Sequence, residues 1–142
     1  MIFKNKWSQG MDDFKDALFV RTEVFVKEQN VPLDMELDEY DNLAYHLVIY
    51  DNDKPIGVGR FVKIEDYYLI GRVAILKEYR GKGYGEFIMK SIIKKVKELG
   101  GKKIKLHAQV HAEKFYEKLG FKSYGEIFYE AGIKHVNMEM NL

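Results

Sequence analysis

Val73-Ala74-Ile75-Leu76-Lys77-Glu78-Tyr79-Arg80-Gly81-Lys82-Gly83-Tyr84-Gly85 is the stretch on which the fold turns. Its apolar start closes a run from Tyr67 to Leu76 that reads as a strand. Glycines at alternate positions then let the backbone pass close to a ligand and aim successive N–H groups inward. Behind them Phe87, Ile88, Ile92, Val96 and Leu99 recur at helical spacing, predicting a long helix with these residues facing the core until Gly100-Gly101 stops it. The start of that helix brings unpaired amides and a dipole to the loop, and Arg80 and Lys82 add positive charge, so the design suits phosphate oxygens. A Rossmann fingerprint fits less well, because the third glycine falls one residue early. A Walker loop needs Gly-Lys-Ser/Thr, and here Tyr84 follows Gly83. A glycine turn that merely joins strand to helix is the plainer alternative; the two cations and the helix start weigh against it.

On the N-terminal side, Ile2 to Trp7 reads as a short strand, and Asp12-Asp13 as the acidic opening of a helix. Phe14, Ala17, Leu18, Arg21, Val24 and Phe25 share one face of that helix, which sets a guanidinium in an apolar stripe. From Glu28 to Asn42 the periodicity fails and acids gather, as in a loop with at most a helical turn. Tyr45 to Asp51 and Ile56 to Ile64 are strands joined through Asn52-Asp53-Lys54-Pro55, and Glu65-Asp66 turns into the strand that opens the glycine segment. On the C-terminal side come a strand (Lys103 to Ala108), a helix (Ala112 to Leu119) and two closing strands, Ser123 to Tyr129 and His135 to Met140. This order predicts an α/β (α+β) fold with one mixed, mostly antiparallel central sheet flanked by helices, and a single domain over residues 1–142.

Composition narrows the function. Lys and Arg nearly cancel Asp and Glu, leaving a formal charge of +1, against the basic face of a nucleic-acid binder. Cysteine is absent, which excludes disulfides, thiolate metal sites and a cysteine nucleophile. Lys4, Asn5, Lys6 and Trp7 stand where a signal peptide needs its apolar core, and no apolar run suits a membrane span. The expectation is a soluble, cytoplasmic protein with no membrane or nucleic-acid partner. His107 and His111 are four apart, but a strand–helix junction falls between them, so no shared metal site is expected.

Two motifs together resemble those of the GNAT N-acetyltransferase superfamily. Arg80-Gly81-Lys82-Gly83-Tyr84-Gly85 is similar to its R/Q-x-x-G-x-G/A pyrophosphate loop, and Ala112-Glu113-Lys114-Phe115-Tyr116-Glu117-Lys118-Leu119-Gly120-Phe121 resembles its A-x-x-F-Y-x-x-x-G-F segment. The resemblance spans essentially the whole chain. It implies a GNAT acyl-CoA N-acyltransferase fold and acetyl-CoA as co-substrate, with cofactor contacts from the loop residues and from the backbone around Val73, Ala74 and Ile75 on a splayed strand. Where many family members place an asparagine three residues before the alanine, this chain has Gln109, which keeps the amide on a longer arm. Tyr116 is implied as the acid that protonates the leaving thiolate, since a phenol near pKa ~10 holds its proton at neutral pH. Glu28, Glu36, His107 and His135 are candidates for the base, as is a water chain, and Glu28 is the one placed at the acceptor.

The acceptor is expected to be a small-molecule or peptide amine held beside the first helix and the acidic loop. Arg21 needs a partner there, and Glu36, Asp38 or Asp41 can supply it, most simply as a structural pair. The pattern Arg21, Val24, Phe25, Glu36, Asp38, Tyr40, Asp41 also resembles acyl-homoserine-lactone synthases, which share the GNAT fold. A non-catalytic coenzyme-A-binding sensor is the reading from another class. Edge strands near the C-terminus offer a surface on which two subunits could pair as a homodimer. The loop resemblance predicts that Gly83→Val weakens coenzyme A binding by roughly tenfold or more in calorimetry, because a side chain enters where backbone meets phosphate; unchanged affinity in the folded variant would remove the loop from the cofactor site.

Overall fold

In a computed structural model the chain is described over residues 4–142, so Ile2 and Phe3 of the expected first strand lie outside the described residues. The elements are β1 (Lys4–Gln9), α1 (Lys15–Arg21), α2 (Leu33–Glu36), β2 (Tyr45–Asp51), β3 (Lys54–Ile64), β4 (Tyr67–Ile75), α3 (Tyr84–Glu98), β5 (Lys103–Gln109), α4 (Glu113–Lys118), β6 (Lys122–Glu130) and β7 (Ile133–Asn141). The strands form one seven-stranded sheet in the order β1-β2-β3-β4-β5-β7-β6. Every neighbouring pair is antiparallel except β4 and β5.

Several boundaries move, each for a local reason. Asp13 adopts a left-handed conformation, φ 55°, and its carboxylate pairs with Lys6, so the helix opens at Lys15 rather than at the acids. The turn before β3 tightens to Asn52-Asp53, with Asn52 at φ 54°, and Pro55 sits inside the strand opposite Tyr50. Leu99 falls just beyond α3 and is exposed, not part of its core face. The acidic segment is more ordered than its composition suggests: it holds α2 and a 3₁₀ turn over Glu39–Asn42, capped by Asp38, which accepts from the Tyr40 amide at 3.1 Å.

Both faces of the sheet are covered, and β3 shows how. Gly59 faces α3, where an added Cβ would stand 2.7 Å from Ile88 Cγ2, so a helix carrying Ile88, Met89, Ile92 and Val96, all fully buried, can lie close to the sheet. Burying side chains of this size contributes about 1.5–3 kcal/mol each. The next residue, Arg60, points to the opposite face as strand alternation requires. There it meets α1 and the acidic segment.

That meeting point is a buried ion cluster. Arg21, fully buried, donates from Nε to Glu36 Oε2 at 2.7 Å and from Nη1 to Asp41 Oδ1 at 2.7 Å. Arg60 donates from Nη1 to Asp41 Oδ1 at 2.6 Å and from Nη2 to Asp38 Oδ2 at 2.7 Å. Arg72 completes it, with Nη2 donating to the Glu36 carbonyl at 2.7 Å and to Asp38 Oδ2 at 3.2 Å. Three guanidiniums thus balance three carboxylates, so little net charge is buried. Of the three partners expected for Arg21, Glu36 and Asp41 bond it directly, while Asp38 serves Arg60 and Arg72. Removing one member strands the others without water. Arg21→Leu should therefore destabilise by about 3–5 kcal/mol, read as a fall in melting temperature. Burial alone would raise the Asp41 carboxyl, but the bond from Arg21 and the charges of Arg21 and Arg60 bring it down to about 2. A depressed folded value means stability that is full above the unfolded value of 3.8 and is lost as pH falls toward 2, so melting temperature should hold to about pH 4 and drop below it.

Candidate active site

The site begins where β4 and β5 part. They pair only through Tyr68–Ile104, Leu69–Lys105 and Ile70–Leu106, although β4 runs on to Ile75 and β5 to Gln109. The cause is a bulge: Arg72 and Val73 together oppose the single residue Gly59, and Arg72 stands at φ 52°. An extra residue raises the local twist and swings the end of β4 away. Between the parted strands lies a cleft of about 520 Å³, whose lining includes Val73, Ala74, Ile75, Arg80, Gln109 and Tyr116.

Of the glycine loop only Arg80 lines this cleft, while Gly81, Lys82, Gly83, Tyr84 and Gly85 follow outside it. Gly81 at φ 76° and Gly83 at φ 87° hold conformations that other residues rarely adopt, and a Cβ on either would meet open space. Glycine here serves backbone shape and close approach rather than packing. Gly85 lies under Phe115, where an added Cβ would stand 3.5 Å from the ring Cζ, so the start of α3 lies against α4. Lys82 Nζ lies 5.8 Å from the centre of the Tyr79 ring, which itself packs edge-on to Tyr84. The loop therefore sets Lys82 beside the start of α3, while the Arg80 guanidinium is taken up by Glu28 and the Ile75 carbonyl.

Arg80 and Glu28 meet each other. Arg80 donates from Nη1 and Nη2 to the two Glu28 oxygens at 2.7 and 2.6 Å, and from Nε to the Ile75 carbonyl at 2.9 Å. That bond holds the Glu28 carboxyl below its ordinary range. Glu28 ends a wide π-type turn, Thr22–Glu28, that continues α1. It lines a smaller neighbouring hollow and not the main cleft. The expectation that Glu28 faces the acceptor is thus not met by its position: the sequence holds no sign of a partner 52 residues away.

The remaining expected residues do line the cleft. Tyr116 is packed edge-on to Phe115 and Phe121, with centroids 5.0 and 6.1 Å away, and burial pushes its hydroxyl up to about 12. Gln109 donates to Gln29 Oε1 at 2.9 Å and bonds His111 Nε2 at 2.7 Å, so its longer arm reaches sideways across the cleft. On the same face of β5 as Gln109, His107 Nδ1 lies 3.0 Å from Glu130 Oε1, and His135 Nε2 lies 3.8 Å from Glu130 Oε2. Glu130, Arg60 and Arg72 all line the cleft and were not singled out from the sequence. Glu130 directly precedes the Ala131-Gly132 turn, at φ 52° and 76°, but only strand register reveals that it shares a face with His107. Among the described residues no group of histidine and carboxylate side chains is arranged to hold a metal ion, and no helix is long and apolar enough to cross a membrane.

A mixed sheet that parts beside a glycine loop defines the acyl-CoA N-acyltransferase fold. The sequence profile of the acetyltransferase (GNAT) domain matches residues 10–142, and the chain belongs to that family. It is 43% identical over 132 residues to the uncharacterized N-acetyltransferase YjcF of Bacillus subtilis, covering 92% of this chain and 94% of that protein. Among solved structures it is similar to an acyl-CoA N-acyltransferase from Pseudomonas aeruginosa (TM-score 0.88, 26% identity, 98% and 99% of the two chains). The PaiA N-acetyltransferase of Thermoplasma acidophilum, solved in complex with coenzyme A, shares the fold (TM-score 0.72, 18% identity, all of both chains).

The Glu28–Arg80 pair is well exposed, with 36% and 40% of the side chains accessible, and such pairs contribute about 0–1 kcal/mol. Glu28→Gln should therefore lower the melting temperature by no more than about 4 °C and leave acceptor KM unchanged. A raised acceptor KM would return Glu28 to the acceptor pocket.

Proposed function

We propose that the protein transfers an acetyl group from acetyl-CoA to an amine by direct attack within a ternary complex. The observation that carries this reading is the parted end of β4. Antiparallel β3 covers one edge of residues Gly71–Ile75, and β5 leaves the other edge open to the cleft. A pantetheine arm, which carries amides of its own, can bond that edge as an added strand would. Gly81, Gly83 and the start of α3 would hold the pyrophosphate, with Lys82 beside them and Arg80 at the exit of β4. A thioester laid along β4 would meet the backbone groups of Val73 and Ala74 at its carbonyl, where negative charge develops in the tetrahedral intermediate.

Each chemical demand then finds a group. The neutral amine attacks the carbonyl carbon, the C–N bond forms, and the C–S bond breaks as the carbonyl is restored. Tyr116 gives its proton to the departing sulfur. Its raised value keeps it protonated at all working pH, and also makes it a weak acid, so transfer must accompany C–S cleavage as charge gathers on sulfur. With no cysteine in the chain, no thiol-bound acyl-enzyme intervenes.

The synthase reading loses its footing at the ion cluster. Arg21, Glu36, Asp38 and Asp41, which carry that resemblance, are bonded to one another or to Arg60 and Arg72, so their pattern speaks for loop anchoring rather than for an acceptor. A coenzyme-A sensor is separated by assay. Acetyl-CoA is incubated with a broad amine panel, and free thiol is read with a thiol reagent that finds no cysteine in the protein. Amine-dependent thiol release supports transfer; tight binding without release would leave a sensor. Within this reading Tyr116→Phe should cut kcat by roughly 10²-fold or more with coenzyme A affinity unchanged, by stopped-flow and calorimetry. Wild-type kcat in a variant limited by chemistry would remove Tyr116 from the role.

A further inference from the structure

The group that removes the acceptor's proton is the open question in the proposed reaction, and the cleft holds a cluster suited to it. His107 is the first residue of β5 beyond the last position paired to β4, so it stands at the fork of the two strands. Its neighbours Leu106 and Ala108 are buried in the core, which turns the imidazole to the other face, into the cleft. Register places His135 opposite Gln109, and Phe128 opposite His135, so all lie on that face with Glu130 two residues beyond Phe128. The Phe128 ring meets both imidazoles, edge-on to His107 at 5.4 Å and stacked with His135 at 5.9 Å, which fixes their planes.

The hydrogen bonds define how such a cluster works. With the Glu130 carboxylate 3.0 Å from Nδ1 of His107, the neutral ring carries its proton on Nδ1 and leaves the Nε2 lone pair for a substrate. The carboxylate also stabilises the imidazolium once it forms, the arrangement in which a base is oriented by a third group. His135 Nδ1 is 2.7 Å from the Ile133 carbonyl and so donates to it, which points Nε2 toward Glu130. The bond from His107 holds the Glu130 carboxyl below its ordinary range, so it stays an anion. Arg72 is the cation on β4 near enough to bear on Glu130, and Lys105, on the same face of β5, is engaged over the Tyr67 and Tyr124 rings. The side chains of His107 and Glu130 are 41% and 45% exposed, open to an acceptor rather than sealed in the core.

We propose that His107 is the general base for an acceptor that arrives as an alkylammonium ion, with Glu130 as its positioning residue. This rests on the transfer reaction proposed above. The ammonium is drawn to the Glu130 carboxylate and gives one N–H proton to His107 Nε2, and the freed lone pair attacks the acyl-CoA carbonyl. The imidazolium returns that proton to solvent; once the C–N bond forms, the nitrogen sheds a second proton, again to His107 Nε2, while Tyr116 protonates the thiolate as the C–S bond breaks and is reprotonated from solvent.

The test measures kcat/KM against pH with an alkylamine found in the thiol-release panel. His107→Gln should lower kcat/KM by roughly 10²-fold and abolish the acid-side inflection, with calorimetric affinity for coenzyme A and melting temperature unchanged. Glu130→Gln should lower kcat more than acceptor KM, because the His107 ring loses the group that fixes its tautomer; Glu130→Asp should restore activity in part. Nitrogen NMR of the His107 ring supplies a readout free of turnover: wild type should show the proton on Nδ1, and Glu130→Gln should lose that preference. A His107→Gln profile that matches wild type would overturn the assignment while leaving acetyl transfer intact. A wild-type protein that releases no thiol with any amine would remove the transfer reading itself, and this inference with it.

Discussion

A strand that leaves its neighbour must find partners for its backbone, and the whole molecule is arranged around one strand that has not been given them. Beyond Ile70, β4 keeps β3 on one edge and loses β5 on the other. That second edge faces the cleft, where water or a ligand can reach its amides and carbonyls, and Arg80 already donates to the Ile75 carbonyl. The bulge at Arg72 and Val73 creates the opening, and Gly59 lets α3 press close behind it. The glycine loop then follows directly, which sets the turn proposed to hold phosphate at the far end of the same edge.

The parted strand also needs a stiff support, and the ion cluster supplies it. Arg21 from α1, Arg60 from β3 and Arg72 from β4 converge on one acidic segment. An apolar packing of similar volume could be as stable. What charge adds is direction, since each guanidinium fork accepts few geometries. Among the described residues, Glu36 Oε1 and His46 Nδ1 are buried without a protein partner, a desolvation cost that this arrangement carries.

Much of this was legible before any coordinates. Periodicity located the strands and α3, because each buries one face of a regular element, and the loop from Arg80 to Gly85 declared itself by glycine spacing. Arg21 was conspicuous as a charge in an apolar stripe. What stayed hidden depends on distance along the chain. Nothing near Glu28 announces Arg80, and nothing near Arg21 announces Arg60 or Arg72, which sit in ordinary strand sequence. Glu130 and His107 come together only because β7 inserts between β5 and β6, a choice of strand order that periodicity does not encode. Leu99 misled for a simpler reason: helical spacing continues one residue past the helix.

The left-handed residue at the bulge sets a limit on engineering. Arg72 adopts φ 52°, a conformation that costs a side-chain-bearing residue roughly 1–2 kcal/mol and glycine almost nothing. Glycine would be the obvious stabilising choice at an exposed turn. Here it would relax the backbone and at the same stroke release the carbonyl of Glu36 and the carboxylate of Asp38 from their guanidinium. Thermostability is therefore better sought at the exposed apolar residues Ile127 and Tyr129 on the outer strand, which lie outside that network. The bulge is a place where the fold has exchanged backbone comfort for a fixed opening, and a more comfortable backbone there would belong to a different protein.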